Sequence, residues 1–168
     1  MTTRSAAAQT WRIERVDVDD PRAVALRDAL DADLGIRYTG FRSEESDERR
    51  SARERALAVH PDQIVATLIA VADDTAAGHV MLRRLDDEWE LKRLMVLPAF
   101  RGHGIARGLV ARTIDEARAG GARRLILQTG IPQPESVQLY ASMGFTRIPV
   151  YEPYVETMPR SICFEIEL

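Results

Sequence analysis

The run Val96-Leu97-Pro98-Ala99-Phe100-Arg101-Gly102-His103-Gly104-Ile105-Ala106 constrains this chain more than any other stretch. A hydrophobic strand ends there, and a basic, glycine-broken turn opens directly into an amphipathic helix. Pro98 has no N–H to give a ladder and stops the strand. Gly102 and Gly104 carry no Cβ, so their backbone N–H groups can approach a ligand closely, and the following helix aims the positive end of its dipole at the same point. A turn built this way binds phosphate, and the expected ligand is a diphosphate. Two other phosphate loops fail on individual residues. A Walker loop needs Gly-Lys-Ser/Thr, whereas this run continues Ile105-Ala106-Arg107-Gly108. A dinucleotide fingerprint starting at Gly102 requires a small residue where Arg107 stands, and the next strand ends in Gln128 instead of the acid that grips a ribose.

The turn lies in the most basic part of an acidic protein. Residues 101–124 hold six arginines and His103 against Asp115 and Glu116, while the whole chain carries a net charge of −3. Arg101 and Arg107 are close enough to the turn to neutralise phosphates, whereas Arg112, Arg118 and Arg123 fit a solvated helix face. An acidic chain argues against a nucleic-acid partner. No apolar run reaches the roughly 18 residues of a membrane span. A length of 168 residues suits a single domain over 1–168. Residues 1–9 are small and polar with no apolar segment, so they read as a loose leader and not as a secretory signal. With Cys163 as the one cysteine, no internal disulfide exists, and a reducing, cytoplasmic location is expected. Cys163 falls in the alternating pattern 161–166 as a packing residue. No His, Cys, Asp or Glu grouping has metal-ligand spacing, so no metal is expected.

Along the chain, a strand is expected at 11–16, then Asp19-Asp20-Pro21 as cap and first turn of a helix reaching about Leu34. A mixed-charge helix over 46–59 stops before His60-Pro61. The nearly continuous apolar run 63–73 reads as a buried strand, 73–78 as a turn, and 78–85 as the hairpin partner. In the strand 88–97 the apolar phase slips: Trp89 and Leu91 are followed by Leu94 and Val96, as a β-bulge around Lys92-Arg93 would produce. The alternative is that Lys92 and Arg93 merely cap a strand of different register. Ile105, Leu109, Val110, Thr113, Ile114 and Ala117 recur at helical spacing as core positions, with Gly120-Gly121 as the stop. A strand at 124–129, a helix at 134–143 and an antiparallel pair, 145–150 with 161–167, complete the chain.

Arg101, Gly104 and Ala106 spell R-x-x-G-x-A between a strand and a helix, and Leu139-Tyr140 with Met143-Gly144-Phe145 close the later helix. On these residues, over roughly 64–150, the chain resembles the GNAT superfamily of acyl-CoA-dependent N-acetyltransferases. The resemblance implies an α/β (α+β) fold with a mixed central sheet of about six or seven strands and helices on both faces. It also implies that the bulged strand 88–97 splays from strand 124–129, leaving a gap that the pantetheine amides fill like an extra strand. Acetyl-CoA is the implied co-substrate, bound by Leu94, Met95 and Val96 of the strand and by Arg101, Gly102, His103, Gly104, Ile105, Ala106 and Arg107 of the turn. Gln133 stands where many family members place an asparagine on the pantetheine arm, and Ser136 where they place an alanine.

Transfer of an acetyl group to an amine needs a proton acceptor, because a lysine-like amine has a pKa of about 10.4. Glu90, on the bulged strand, is the expected base; the alternative is a solvent-facing glutamate paired with Lys92 or Arg84. Tyr140 is the implied acid for the leaving thiolate, its alternative being a core aromatic beside Val137 and Ala141. A backbone N–H near Met95 or Val96 would hold the oxyanion. Tyr38, Phe41, Arg42, Tyr151 and Tyr154 are candidates to shape the acceptor cavity for a small-molecule, amino-acid or peptide amine. Arg42 could bind an acceptor carboxylate, although 42–55 has the charge mixture of a solvated face. Competing readings are a non-catalytic acyl-CoA-binding module, and an acyl-CoA hydrolase or O-acyltransferase. The strand 161–168 offers an edge for a homodimer.

Overall fold

Consecutive aspartates set the sheet's first hairpin. Asp73 and Asp74 both adopt positive φ, 47° and 60°, the conformation of a two-residue turn whose twist matches the flanking strands. Strand pairing therefore resumes at once, Ala72 opposite Thr75, and the partner strand begins three residues before Gly78, where the glycine had suggested its start. The computed structural model describes residues 10–168; the leader expected at 1–9 lies outside them. Its strands are β1 (Trp11–Val16), β2 (Ile64–Ala72), β3 (Thr75–Leu85), β4 (Glu88–Val96), β5 (Arg124–Gly130), β6 (Thr146–Ile148) and β7 (Ser161–Glu167). They form one seven-stranded sheet in the order β1-β2-β3-β4-β5-β7-β6. All neighbours are antiparallel except β4 and β5, which are parallel.

The helices are α1 (Pro21–Arg37), α2 (Asp47–Leu57), α3 (Ile105–Ala119), α4 (Pro134–Ser142) and the short α5 (Tyr154–Thr157). Asp20 caps α1 by accepting from the Arg22 N–H at 2.9 Å, and Ser46 caps α2 through the Arg49 N–H at 3.2 Å. The first helix runs a turn beyond Leu34, held there by Arg37, which pairs with Asp33 and with Glu135 of α4. Alternation along β2 divides the core between the two sheet faces. Leu68 and Ala70 join Ile105, Leu109 and Val110 of α3 on one side. Ile69 and Val71 join Ala23 and Leu26 of α1 on the other. Every α3 position expected in the core is buried. The terminal strand is not the outermost strand of the sheet: β7 lies between β5 and β6, and β6 pairs with its Cys163, Phe164 and Glu165. Among the described residues no helix is long and apolar enough to cross a membrane.

The phase slip in 88–97 is a true bulge. His79 lies opposite Met95, but Met81 lies opposite Lys92, so β4 carries one more residue than β3 over this step. Arg93 supplies it, at φ 58°, which is costly for a non-glycine residue and persists only where the surroundings hold it. Three groups hold it. The buried His79 ring donates from Nδ1 to the Arg93 carbonyl at 2.8 Å, the Arg93 guanidinium pairs with Asp31 of α1, and it donates to the Leu57 carbonyl of α2 at 2.9 Å. Beyond the bulge β4 leaves β5: their parallel pairing is confined to Glu90 with Ile126 and Leu91 with Leu127.

Burial lowers the His79 pKa from 6.5 to about 4, which fixes the neutral ring that can donate to Arg93 and accept from Arg27 Nη1 at 3.3 Å. Between those two pH values the unfolded chain binds a proton that the folded chain refuses. Stability therefore falls as pH falls through this window, by up to about 3 kcal/mol from this group alone. In urea unfolding at about pH 7 and pH 4.5, the wild type should lose more stability than His79→Gln. Parallel declines would show that His79 does not carry the dependence.

Candidate active site

The phosphate turn follows β4 through a single 3-10 turn, Pro98–Phe100. Gly102 and Gly104 adopt φ 81° and 79°, and no atom lies within 4 Å of a Cβ built at either. Left-handed backbone there leaves the first-turn N–H groups of α3 facing open space, and Gly104 provides no side chain to cap them. Arg101 braces the turn from within, donating from Nε to the Val96 carbonyl at 3.1 Å. Trp11 of β1 braces it from outside, its indole N–H donating to the His103 carbonyl at 3.0 Å. Arg107 ties α3 to α4 through the Ser142 hydroxyl at 2.8 Å.

A cavity of about 360 Å³ opens beside this turn, between β4 and α4. Leu94, Met95, Val96, Arg101, Gly102, Gly104, Ile105, Ala106, Arg107 and Gln133 all line it. His103 does not, and its exposed ring lies 3.3 Å from the Phe100 carbonyl instead. Glycines facing open space, free helical N–H groups and an unpaired stretch of β4 suit the phosphates and the amide-bearing arm of coenzyme A, so the residues present fit that group.

A second cavity of about 380 Å³ continues from the first, sharing Leu30, Leu94, Gln133 and Ser136 with it. Gln133 spans the junction, its amide donating to the Thr129 hydroxyl at 3.1 Å. Tyr140 lines this central space with 4% of its surface exposed. Its ring is fixed edge-on against Phe145 at 5.5 Å and tilted against Phe164 at 6.0 Å, so it is a core aromatic and a cavity residue at once. The hydroxyl has no hydrogen-bond partner among the described residues, and burial raises its pKa above the ordinary 10. It is a protonated donor aimed at no protein acceptor.

Glu90 lines the same cavity yet is fully buried, which replaces the solvent-facing alternative. Its carboxylate is caged: Arg83 Nε donates to Oε1 at 2.8 Å, the Tyr154 hydroxyl to Oε1 at 3.2 Å and the Tyr151 hydroxyl to Oε2 at 2.7 Å. Arg83 is opposite Glu90 in the β3–β4 ladder. Arg84, one residue on, stacks over Trp89 on the other face at 4.8 Å. Lys92 lies 3.9 Å from Glu90, and burial lowers its pKa to about 8 although the carboxylate opposes the shift. Burial and Glu90 also push Tyr151 and Tyr154 well above the usual phenol value. These two tyrosines hold the carboxylate; Tyr154 also lines the central cavity, whereas Tyr151 lines none of the three cavities described here. Cys163 is buried in β7 with its thiol pushed up to about 11 by desolvation, an inert state.

An outer cavity of about 670 Å³ adjoins the central one through Tyr38, Arg42, Arg53, Gln128 and Met158, and is lined also by Phe41 and Arg160. The three spaces form one trough from the phosphate turn, past Tyr140 and Glu90, to a cluster of arginines. Sequence reasoning missed Arg83 and His79 as parts of the site and had Lys92 only as a bulge residue and as the partner of a solvent-facing Glu90. Counting outward from the Asp86-Asp87 turn would have placed Arg83 opposite Glu90, whereas nothing local marks His79 as the clamp on the bulge. Among the described residues, no group of three or more His, Cys, Asp or Glu side chains is placed to hold a metal.

The model of the acetyltransferase (GNAT) family matches residues 24–145. An IAA acetyltransferase of Azospirillum brasilense is 34% identical over 133 residues, covering 78% of this chain and 81% of that protein. A candidate acyl-CoA N-acyltransferase of Klebsiella pneumoniae superposes with a TM-score of 0.73 at 24% identity, over 94% of this chain and 97% of that one. A GNAT family acetyltransferase of Elizabethkingia anophelis, crystallised with acetyl-CoA bound, superposes with a TM-score of 0.62 at 18% identity, over 94% and 98% of the two chains. With the family matched across most of its length, and with a bulged strand and a glycine turn around one continuous trough, the chain belongs to the GNAT acetyltransferase family and is an acyltransferase.

Proposed function

We propose that the protein transfers an acetyl group from acetyl-CoA to the primary amine of a small molecule, an amino acid or a peptide. The observation that carries this reading is the continuous trough, with the unpartnered Tyr140 hydroxyl at its midpoint. Bound acetyl-CoA supplies an acetyl group activated as a thioester. The turn from Arg101 to Arg107 holds the phosphates on free N–H groups and guanidinium charge, and Leu94, Met95 and Val96 hold the arm. A backbone N–H of Met95 or Val96 stabilises negative charge on the carbonyl oxygen. As the amine nitrogen bonds to the acetyl carbon and the carbon–sulfur bond breaks, Tyr140 gives its proton to the sulfur. The amine proton passes to Glu90 by way of the Tyr154 hydroxyl, since the cage around Glu90 denies an acceptor direct contact. We place this chemistry in the cytoplasm.

That cage favours a second reading, in which Glu90 only positions Tyr154 and Lys92 while water takes the proton. The two readings differ in pH dependence. If Glu90 accepts the proton, Glu90→Gln should abolish the acidic limb of the kcat/KM profile; if it positions, the profile keeps its shape at a lower level. Tyr140→Phe should lower kcat by roughly 100-fold or more while leaving the acetyl-CoA Kd within a few-fold, measured by thiol release and calorimetric titration. Tight binding with no thiol release for any amine would instead favour an acyl-CoA-binding module.

A further inference from the structure

The outer cavity is cationic in a protein whose net charge is −3. Arg42, Arg49, Arg53 and Arg160 line it against Glu44 and Glu45. Arg53 and Glu45 neutralise one another through two hydrogen bonds of 2.8 and 2.9 Å. Arg42 is different. It is half-buried, and among the described residues its guanidinium has no salt bridge and donates no hydrogen bond, lying 4.6 Å over the Tyr38 ring. Burial and the like charge of Arg53 lower its pKa, and the carboxylate that opposes this, Glu45, already has both oxygens engaged by Arg53. A partly desolvated guanidinium with a fork of unused donors is a costly arrangement unless an anion completes it.

The ring beneath Arg42 lies close against the end of β5: a Cβ on Gly130 would come 2.0 Å from the Tyr38 hydroxyl, so the glycine leaves the room that the ring occupies. Stacking on that ring orients the guanidinium in turn. Arg160 approaches from the segment before β7, stacked over Phe41 at 5.2 Å and donating to the Phe41 carbonyl at 3.2 Å, with no carboxylate partner among the described residues. Tyr38 and Arg42 line both the outer and the central cavity, so an anion seated on Arg42 has the rest of its molecule beside Tyr140 and Lys92.

We infer that the acceptor is an amino acid, its carboxylate bound by Arg42 with Arg160 reinforcing the charge and its amine directed to the centre of the trough. This rests on the acetyl-transfer function proposed above and narrows its acceptor. Arg42 is thereby a specificity-determining residue that takes no part in the chemistry.

The test is acetyl transfer to α-, β- and γ-amino acids and to their carboxamides, which keep the amine and remove the carboxylate charge. The kcat/KM for at least one acid should exceed that of its carboxamide by roughly tenfold or more. The ratio should collapse toward one in Arg42→Gln and be partly kept in Arg42→Lys. Because the readout is a ratio within one protein, a general loss of activity does not move it. Carboxamides used as well as acids, or a ratio unchanged in Arg42→Gln, would overturn the inference while leaving acetyl transfer intact. Acetyl-CoA binding without transfer to any amine would overturn the proposed function and this inference with it.

Discussion

One extra residue in β4 organises the whole site. A regular β4 would pair with β5 along its length, and no room would remain between them; with Arg93 inserted, pairing stops after Leu91 and the strands diverge toward the phosphate turn. The insertion is unfavourable by itself, since Arg93 carries a positive φ and its carbonyl is turned out of the ladder. It is compensated by groups from three other elements: the His79 ring in β3, Asp31 in α1 and the Leu57 carbonyl in α2. The bulge thus joins the helices that frame the acceptor side to the strand that frames the donor side. Its stability depends on His79 remaining neutral, because a protonated ring would have a cation facing both Arg27 and Arg93.

The two faces of β4 do different work because the side chains alternate. Trp89 and Leu91 pack into the core beneath α3, while Glu90 and Lys92 point into the opposite layer with Arg83, Tyr151 and Tyr154. Burying a carboxylate without partners costs several kcal/mol, and this one is compensated by a guanidinium and two phenols. Two consequences follow. Glu90 is held rigidly at the base of the central cavity, and Lys92, left with a single distant carboxylate and heavy desolvation, is closer to neutrality than a surface lysine.

The sheet, its order of elements and the phosphate turn were legible in the sequence because each rests on a local rule. The Asp20–Pro21 cap, the α3 periodicity and the phase slip between Leu91 and Leu94 each need only a few neighbouring residues to be read. The cage around Glu90 was legible only in part, since Tyr151 and Tyr154 come from a loop some sixty residues away whose approach no periodicity records. Both tyrosines were expected on the acceptor wall; Tyr154 lines the central cavity as well as holding Glu90, whereas Tyr151 holds Glu90 from outside the cavities. The partner expected for 161–167 at 145–150 is present, reduced to the three residues of β6, and it pairs with the middle of the strand whose edge had been offered to a second copy. His103, expected in the donor site from its place between two glycines, lies outside the lining of the cavity beside the turn, its exposed ring 3.3 Å from the Phe100 carbonyl.

The two ends of the trough are built from different materials, and that difference explains why one end is easier to read than the other. At the phosphate-turn end the trough presents mainly backbone: the left-handed glycines, the uncapped start of α3 and the unpaired edge of β4. Backbone sites demand particular residue types at particular spacings, so they leave a motif. At the other end the trough is walled by side chains carried by the α1–α2 connection and by the segment before β7, brought together only by the fold. There the informative quantity is whether each charge is matched. Glu45 with Arg53 and Glu90 with Arg83 are closed pairs, and such pairs have little charge left over to hold an anion. Arg42 is placed as they are, partly buried and fixed on an aromatic ring, but without a counter-charge of its own. A fold that pairs Glu45 with Arg53 and Glu90 with Arg83 while leaving Arg42 without a carboxylate of its own, where the outer and central cavities meet, presents the arrangement that the proposed acceptor carboxylate would complete.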